Sequence, residues 1–322
     1  MAIEIESLQR LHFSYLYLGH ARIADCFMDG PAQHVHALPA HPELQAEIEA
    51  LKLACRGARS GARAFKLDFG SVSYRVRVVQ TPDGPMFVLR RLDATLESLS
   101  GLGLPSAYVR RLLSADLGGL VVVSGTAKCG KTTTAGALVR DQLALHGGIA
   151  ITIEEPIDAT LEGAYGRGVC IQTLASADRP GDLRTALGCG ARMIFIGAVE
   201  EPAVVVDTLM AARDGHLIVS TVQADDVERA IARLYTLAAR VLDAQSARTL
   251  LADGLGAVLH QRLAFRAPGQ RQLEARLLML ADSAAVRTRV RDGRHDELGE
   301  AVRQQMMSMI HSDALASLKE GN

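Results

Sequence analysis

The clearest chemistry in this sequence is an eight-residue run in the middle of the chain. Gly125-Thr126-Ala127-Lys128-Cys129-Gly130-Lys131-Thr132 fits the pattern G-x-x-x-x-G-K-[ST]. Glycines in such a run let the backbone curl with its N–H groups inward, so that they and the next helix N-terminus can hold anionic phosphates. Lys131 would reach the outer phosphates, the Thr132 hydroxyl would ligate Mg²⁺, and Thr133 would extend the binding stretch. The flanks agree with this reading, because the apolar run LVVVS precedes the loop and the helix-compatible TTAGALVRDQL follows it. ATP and Mg²⁺ are therefore the expected cofactors, in preference to a plain glycine-rich turn. Cys129 inside the loop would be redox-sensitive if the loop's positive field stabilised its thiolate. The plainer reading is a small residue that fits.

Phosphoryl transfer to water also needs an oriented nucleophile and positive charge at the departing phosphate. Glu154 and Glu155 close the apolar run IAITIEE, a strand expected to end beside the loop's own strand. One of them could orient water or hold Mg²⁺ indirectly, although two glutamates before Pro156 could also simply cap a loop. Arg75, Arg77 and Arg90 precede the loop and could act as arginine fingers, since a guanidinium stays charged and grips phosphate through two donors. Alternating strand arginines are otherwise an ordinary solvated face.

These groups need elements to carry them. Residues 1–91 mix a helical pattern, QAEIEALKLACRGAR, with the strand-like runs AFKLDFGSVSYRVRVVQ and GPMFVLRRL, and Pro82-Asp83-Gly84 between the last two is turn chemistry. A linker, LSGLGLPS with Gly101, Gly103 and Pro105, follows. Beyond residue 106, the short β-branched runs GLVVVS, IAITIEE, GVCIQ, MIFIG and HLIVSTV alternate with helical segments, as in an α/β doubly wound sheet buried on both faces. After about residue 225 the pattern is mostly helical. The expected organisation is an α+β domain and linker over 1–100, a nucleotide-binding α/β core over 101–225, and a mainly helical subdomain over 226–322.

Composition narrows the partners. The 322 residues carry a formal net charge of -1, which gives no reason to expect nucleic acid or anionic lipid. Five scattered cysteines form no C-x-x-C pair, so neither a disulfide framework nor a zinc site is expected, and a reducing cytosol fits. The start MAIEIESLQR mixes charged with apolar residues, and no apolar run is long enough for a bilayer, so the chain is expected to be neither exported nor embedded.

Several ordered blocks resemble the type II/type IV secretion ATPase superfamily, and most closely its pilus-retraction, twitching-motility branch. The resemblance runs from about Tyr74 to the C-terminus. It rests on Tyr74-Arg75-Val76-Arg77, Arg90-Arg91, Leu102-Gly103-Leu104-Pro105 and the loop strand, followed by the acidic block Thr152-Ile153-Glu154-Glu155-Pro156-Ile157-Asp158. The histidine block Gly215-His216-Leu217-Ile218-Val219-Ser220-Thr221 and the late blocks Ala285-Val286-Arg287, Val290-Arg291-Asp292-Gly293 and Ser312-Asp313-Ala314-Leu315 complete it. The resemblance implies a RecA-like P-loop core with a small PAS-like N-terminal domain and a helical C-terminal subdomain. It further implies a homo-hexameric ATPase, cytoplasmic and peripheral at the inner membrane, acting on an inner-membrane platform protein and alongside a paralogous motor ATPase. His216 would then be a sensor of the γ-phosphate or of the subunit interface.

The pattern breaks at one strand. In Met193-Ile194-Phe195-Ile196-Gly197-Ala198 the position after the glycine, an essential glutamate in the family, is Ala198, and alanine cannot polarise water. Glu200-Glu201 replaces an expected Arg-Asp, Gly188 an arginine, and Gln223 a second histidine. Two readings follow. Either Glu154, Glu155, Glu200 or Glu201 supplies the missing carboxylate, or the chain is a catalytically weak nucleotide-binding paralogue that modulates a partner motor. A P-loop kinase is a weaker third, since no acceptor-binding lid is evident.

Overall fold

The computed structural model describes residues 7–29, 34–59, 63–92, 96–155, 157, 159–267 and 270–320. Pro156 and Asp158 of the acidic block lie outside them. The chain divides into two compact units, Met1–Thr95 with Glu155–Thr160, and Leu96–Glu154 with Leu161–Asn322.

Alternation builds the first unit. Strands β1 (Tyr15–Leu18), β2 (Cys26–Met28), β3 (Val35–Ala37), β4 (Ala64–Phe69), β5 (Val72–Thr81) and β6 (Gly84–Arg91) form one sheet in the order β3-β2-β1-β6-β5-β4. Successive side chains of a strand point to opposite faces. Tyr74 and Val76 therefore enter the core while Arg75 and Arg77 take the other face. Helix α1 (Pro42–Ala58) has proline in its first turn and buries Leu44, Ile48, Leu51 and Cys55, a helical stripe that joins Leu16, Leu18, Phe65, Phe87 and Leu89 in one cluster. The turn expected at Pro82-Asp83 is present, with Thr81 paired to Gly84.

The second unit is a sheet buried on both faces. Its elements are α2 (Ser106–Leu112), β7 (Gly119–Gly125), α3 (Lys131–His146), β8 (Gly148–Glu154), β9 (Gly163–Tyr165), β10 (Gly168–Leu174), α4 (Arg179–Gly188), β11 (Met193–Ala198), α5 (Pro202–Arg213), β12 (Leu217–Gln223), α6 (Val227–Ala238), α7 (Ala244–Gly254), β13 (Leu255–Ala267), β14 (Gln270–Met279), α8 (Ala284–Arg291) and α9 (Leu298–Glu320). The strand order is β14-β13-β7-β12-β11-β8-β10-β9, parallel from β13 to β10, with antiparallel edges at β14 and β9. Leu120, Val121, Val122 and Val123 of β7 are all fully buried. Leu120, Val122, Ile194, Ile196 and Ile218 pack with α4 to α7, and the intervening Val121, Val123, Phe195 and Val219 turn to the opposite face.

Two expected boundaries change. The first break between units falls at Thr95/Leu96, close to the expected 100, but no break falls at 225. Helices α6 to α9 supply the helical character expected there. The same segment also contains β13 and β14, and β13 pairs directly with β7. Backbone hydrogen bonding thus ties the C-terminal stretch into the nucleotide core.

Candidate functional site

The glycine-lysine run forms a tight connection between β7 and α3 at the C-terminal edge of the parallel sheet, where open α/β sheets bind ligands. Its curl is visible in the backbone. Gly125 has φ +154, Lys128 +62 and Gly130 +85. Lys128 is the only non-glycine among the described residues with positive φ, a conformation that costs roughly 1–3 kcal/mol and persists only where the surroundings enforce it. Gly125 has no room for a side chain, because a Cβ there would collide with the Gln261 carbonyl oxygen and the Cys129 sulfur.

The loop is shaped to receive phosphates. Helix α3 starts from Gly130 without a side-chain cap, so no capping side chain takes up the first-turn N–H groups of Thr132 and Thr133, while the Lys131 N–H faces the Cys129 sulfur. The Lys131 ammonium donates to the Thr126 carbonyl at 2.7 Å, drawn back across its own loop. Thr132 and Thr133 are half-buried at the loop mouth, whereas Thr126, Ala127 and Lys128 are exposed. These features fit a nucleotide's terminal phosphates, and Thr132 is the one loop hydroxyl of the motif that would hold Mg²⁺. Cys129 is 4% exposed, and burial pushes its thiol up although the Lys131 ammonium pulls the other way. That environment makes an inert thiol, which decides for the plainer reading of Cys129.

Strand β13 braces the loop laterally, a feature that sequence reasoning missed. Ser124 faces His260 in register, with its Oγ 3.2 Å from His260 Nδ1. Fully buried Gln261 donates its side-chain amide to the Cys129 carbonyl at 2.7 Å. No local motif marks Gln261, which is more than a hundred residues downstream of the loop.

The two glutamates of the acidic block part company. Glu154 ends β8, is 2% exposed, and accepts a hydrogen bond from Gln172 Nε2 at 3.0 Å. Glu155 is exposed and belongs to the first compact unit. The expectation that this strand would lie beside the loop strand needs correction, because β12 and β11 stand between β7 and β8. Chain order and sheet order differ in a doubly wound sheet. Glu154 instead adjoins β11, the strand that carries Ala198, with Ile153 paired to Ile196. Ala198 itself is exposed at the end of β11, and the neighbouring Gly197 carbonyl accepts from Ser220 Oγ at 2.7 Å. Glu200 and Glu201 form ion pairs with Arg233 at 3.7 Å and Arg179 at 3.1 Å, and Arg233 also donates to the carbonyl of Gln223, the residue paired with Gly125.

His216 does not belong to this mouth. It immediately precedes β12, whose Leu217 pairs with Gly119 while Gln223 pairs with Gly125. At ~3.3 Å rise per residue the histidine lies about 20 Å along the sheet from the loop. The expected γ-phosphate contact within one chain is therefore corrected. Both strands run the same way, so the start of one cannot meet the end of the other.

Arg75, Arg77 and Arg90 lie together on one face of the first unit's sheet, as Arg75 pairs directly with Arg90 on one side and with Lys66 on the other. Like charges directly opposite one another on adjacent strands are destabilising. Asp68 on the same strand as Lys66 brings its carboxylate to 3.9 Å from the Lys66 ammonium, so the face mixes signs.

A nucleotide-type phosphate loop at the switch edge of a parallel sheet, joined to a small α+β unit, defines a P-loop ATPase fold of the RecA-like kind. The chain belongs to the family described as Type II/IV secretion system protein, whose model matches residues 60–312. Among curated relatives, it is 25% identical over 243 residues to a twitching motility protein of Neisseria gonorrhoeae, covering 74% of this chain and 63% of that protein. It is 30% identical over 221 residues to type II secretion system protein E of Klebsiella pneumoniae, covering 67% of this chain and 42% of that one. The chain thus spans less than two thirds of the length of either relative. Its fold is similar to the pilus retraction motor PilT with bound ADP, at TM-score 0.74 and 24% identity over 91% of this chain and 86% of that one. It is also similar to the ATPase DotB of Legionella pneumophila, at TM-score 0.68 and 18% identity over 92% and 84% of the respective chains. Among the described residues, no helix is long and apolar enough to cross a membrane.

Proposed function

We propose that this chain binds ATP with Mg²⁺ and works as a homo-hexameric, cytoplasmic motor subunit at the inner membrane, coupling hydrolysis to domain rotation for a pilus or secretion apparatus. The observation that carries the reading is the curled loop at Gly125, Lys128 and Gly130, with α3 opening directly behind it. The magnesium nucleotide would supply the phosphoanhydride bond that water cleaves. The chain's own residues do the rest: loop N–H groups and Lys131 bind phosphate, Thr132 orients the metal, and Glu154 positions the attacking water through its buried carboxylate. Arg75, Arg77 and Arg90 supply charge to a nucleotide held by a neighbouring subunit, and His216 reads the interface between subunits. Glu155 is left without a part in a single subunit's site. The partners are an inner-membrane platform protein and a paralogous motor, and no nucleic acid.

A second reading keeps the binding and removes the turnover. Ala198 in place of the family's acid favours a ring subunit that binds ATP and modulates an active paralogue. Calorimetry with ATP on wild type and Lys131→Ala tests the shared claim, and silence from the wild type would sink it. Phosphate release abolished by Lys131→Ala would decide for the motor, whereas binding without release would decide for the modulator. Sedimentation with nucleotide tests the ring, and a protein that stays monomeric rules out both forms of it.

A further inference from the structure

We propose that Gln261 is a positioning residue of the phosphate loop, fixing the Cys129–Gly130 peptide so that the Gly130 N–H faces a bound phosphate. The proposal rests on the nucleotide-binding reading above. Gln261 is fully buried on β13, and its Nε2 donates to the Cys129 carbonyl at 2.7 Å. A peptide group is planar and trans, so its C=O and N–H point in opposite directions. Holding the Cys129 oxygen toward Gln261 therefore turns the Gly130 N–H away from β13. Gly130 is the residue from which α3 starts, in a left-handed conformation that glycine adopts without steric cost.

The same residue braces the other end of the curl. Its main-chain carbonyl oxygen occupies the space that a Gly125 side chain would need, and its Nε2 would lie 3.4 Å from a Cβ on Gly130. Both glycines of the motif thus pack against one glutamine of a distant strand. The chemistry of the amide separates this role from core filling. A carbonyl partner requires the N–H side, which leaves Gln261 Oε1 buried with no hydrogen-bond partner among the described residues. Met would occupy a similar volume without an orphaned acceptor, so a residue kept only for packing gains nothing from the amide.

The test uses the full chain, with ADP binding read by calorimetry beside thermal melting. Gln261→Met removes the donor at near-constant volume. The expected result is roughly tenfold weaker ADP binding, a single hydrogen bond's worth, while the melting temperature stays within a few degrees of wild type. Gln261→Glu supplies a second measurement: its carboxylate cannot donate, but the protonated acid can. Relative to wild type at each pH, its ADP affinity is expected to recover as pH falls, while Lys131→Ala stays silent throughout. Wild-type affinity in the Met variant, or an affinity in the Glu variant that is weakened and stays equally weak as pH falls, would overturn the positioning role and leave nucleotide binding standing; wild-type-like affinity of the Glu variant throughout means that burial keeps the acid protonated and donating, and supports it. If the Met variant does not fold, the Glu profile decides. Absence of ADP binding in the wild type would overturn both.

Discussion

Gly197 packs against Glu154: a Cβ built on the glycine would stand 3.8 Å from the Glu154 Cα. The buried carboxylate at the end of β8 thus adjoins the strand end that carries Ala198. A carboxylate introduced at position 198 would lie at the same sheet edge as the phosphate loop.

Ala198→Glu is expected to raise phosphate release by on the order of 10²-fold, the usual effect of one water-positioning or charge-stabilising group. The measurement is single-turnover hydrolysis beside wild type. An unchanged rate would mean that an acid at position 198 does not limit turnover in this chain.

Glu154→Gln is expected to remove whatever turnover wild type retains, while ADP affinity changes less than a few-fold. Glu154→Ala adds a stability loss of about 1–3 kcal/mol, because it leaves the Gln172 amide without that acceptor. Full activity in the Gln variant would assign the carboxylate a structural part alone.

Arg90→Thr is expected to leave stability unchanged or slightly improved, since it relieves the like-charge pairing with Arg75 on the adjacent strand. Hydrolysis by the assembled protein should nevertheless drop. A melting temperature that falls together with unchanged turnover would make the arginine row an ordinary surface.

Acid should weaken the fold through His260 and His295. Burial holds both imidazoles below the ordinary value of 6.5, with Arg248 adding to the effect at His295. The unfolded chain therefore takes up protons first as pH falls. The contribution of these groups is complete above about 6.5 and is lost progressively below it, down to their lower folded values. Melting followed between neutral pH and pH 5 checks this, and His260→Gln should flatten the slope. An unaltered slope would place the acid sensitivity elsewhere.

His216→Ala should leave ADP binding by the single chain untouched, given its place at the opposite end of β12. Any effect should appear only in assembled rings, as altered turnover. Loss of affinity in a monomer would contradict the strand register.

The phosphate loop, the strand before it and the helix after it were legible in sequence because all three are local: glycine spacing, a β-branched run and helical periodicity suffice. The alternation that sets Arg75 and Arg77 against Tyr74 and Val76 was legible for the same reason. Sheet order was not. Chain order puts Glu154 next after the loop, yet β12 and β11 intervene in space, and parallel pairing carries His216 to the far end of the strand that brings Gln223 to Gly125. Gln261 and the joining of β13 to β7 were likewise decided only by the tertiary structure. Hydrogen bonding between strands distant in sequence leaves no periodic trace in either strand, whereas a curl forced by glycines is inscribed where it occurs.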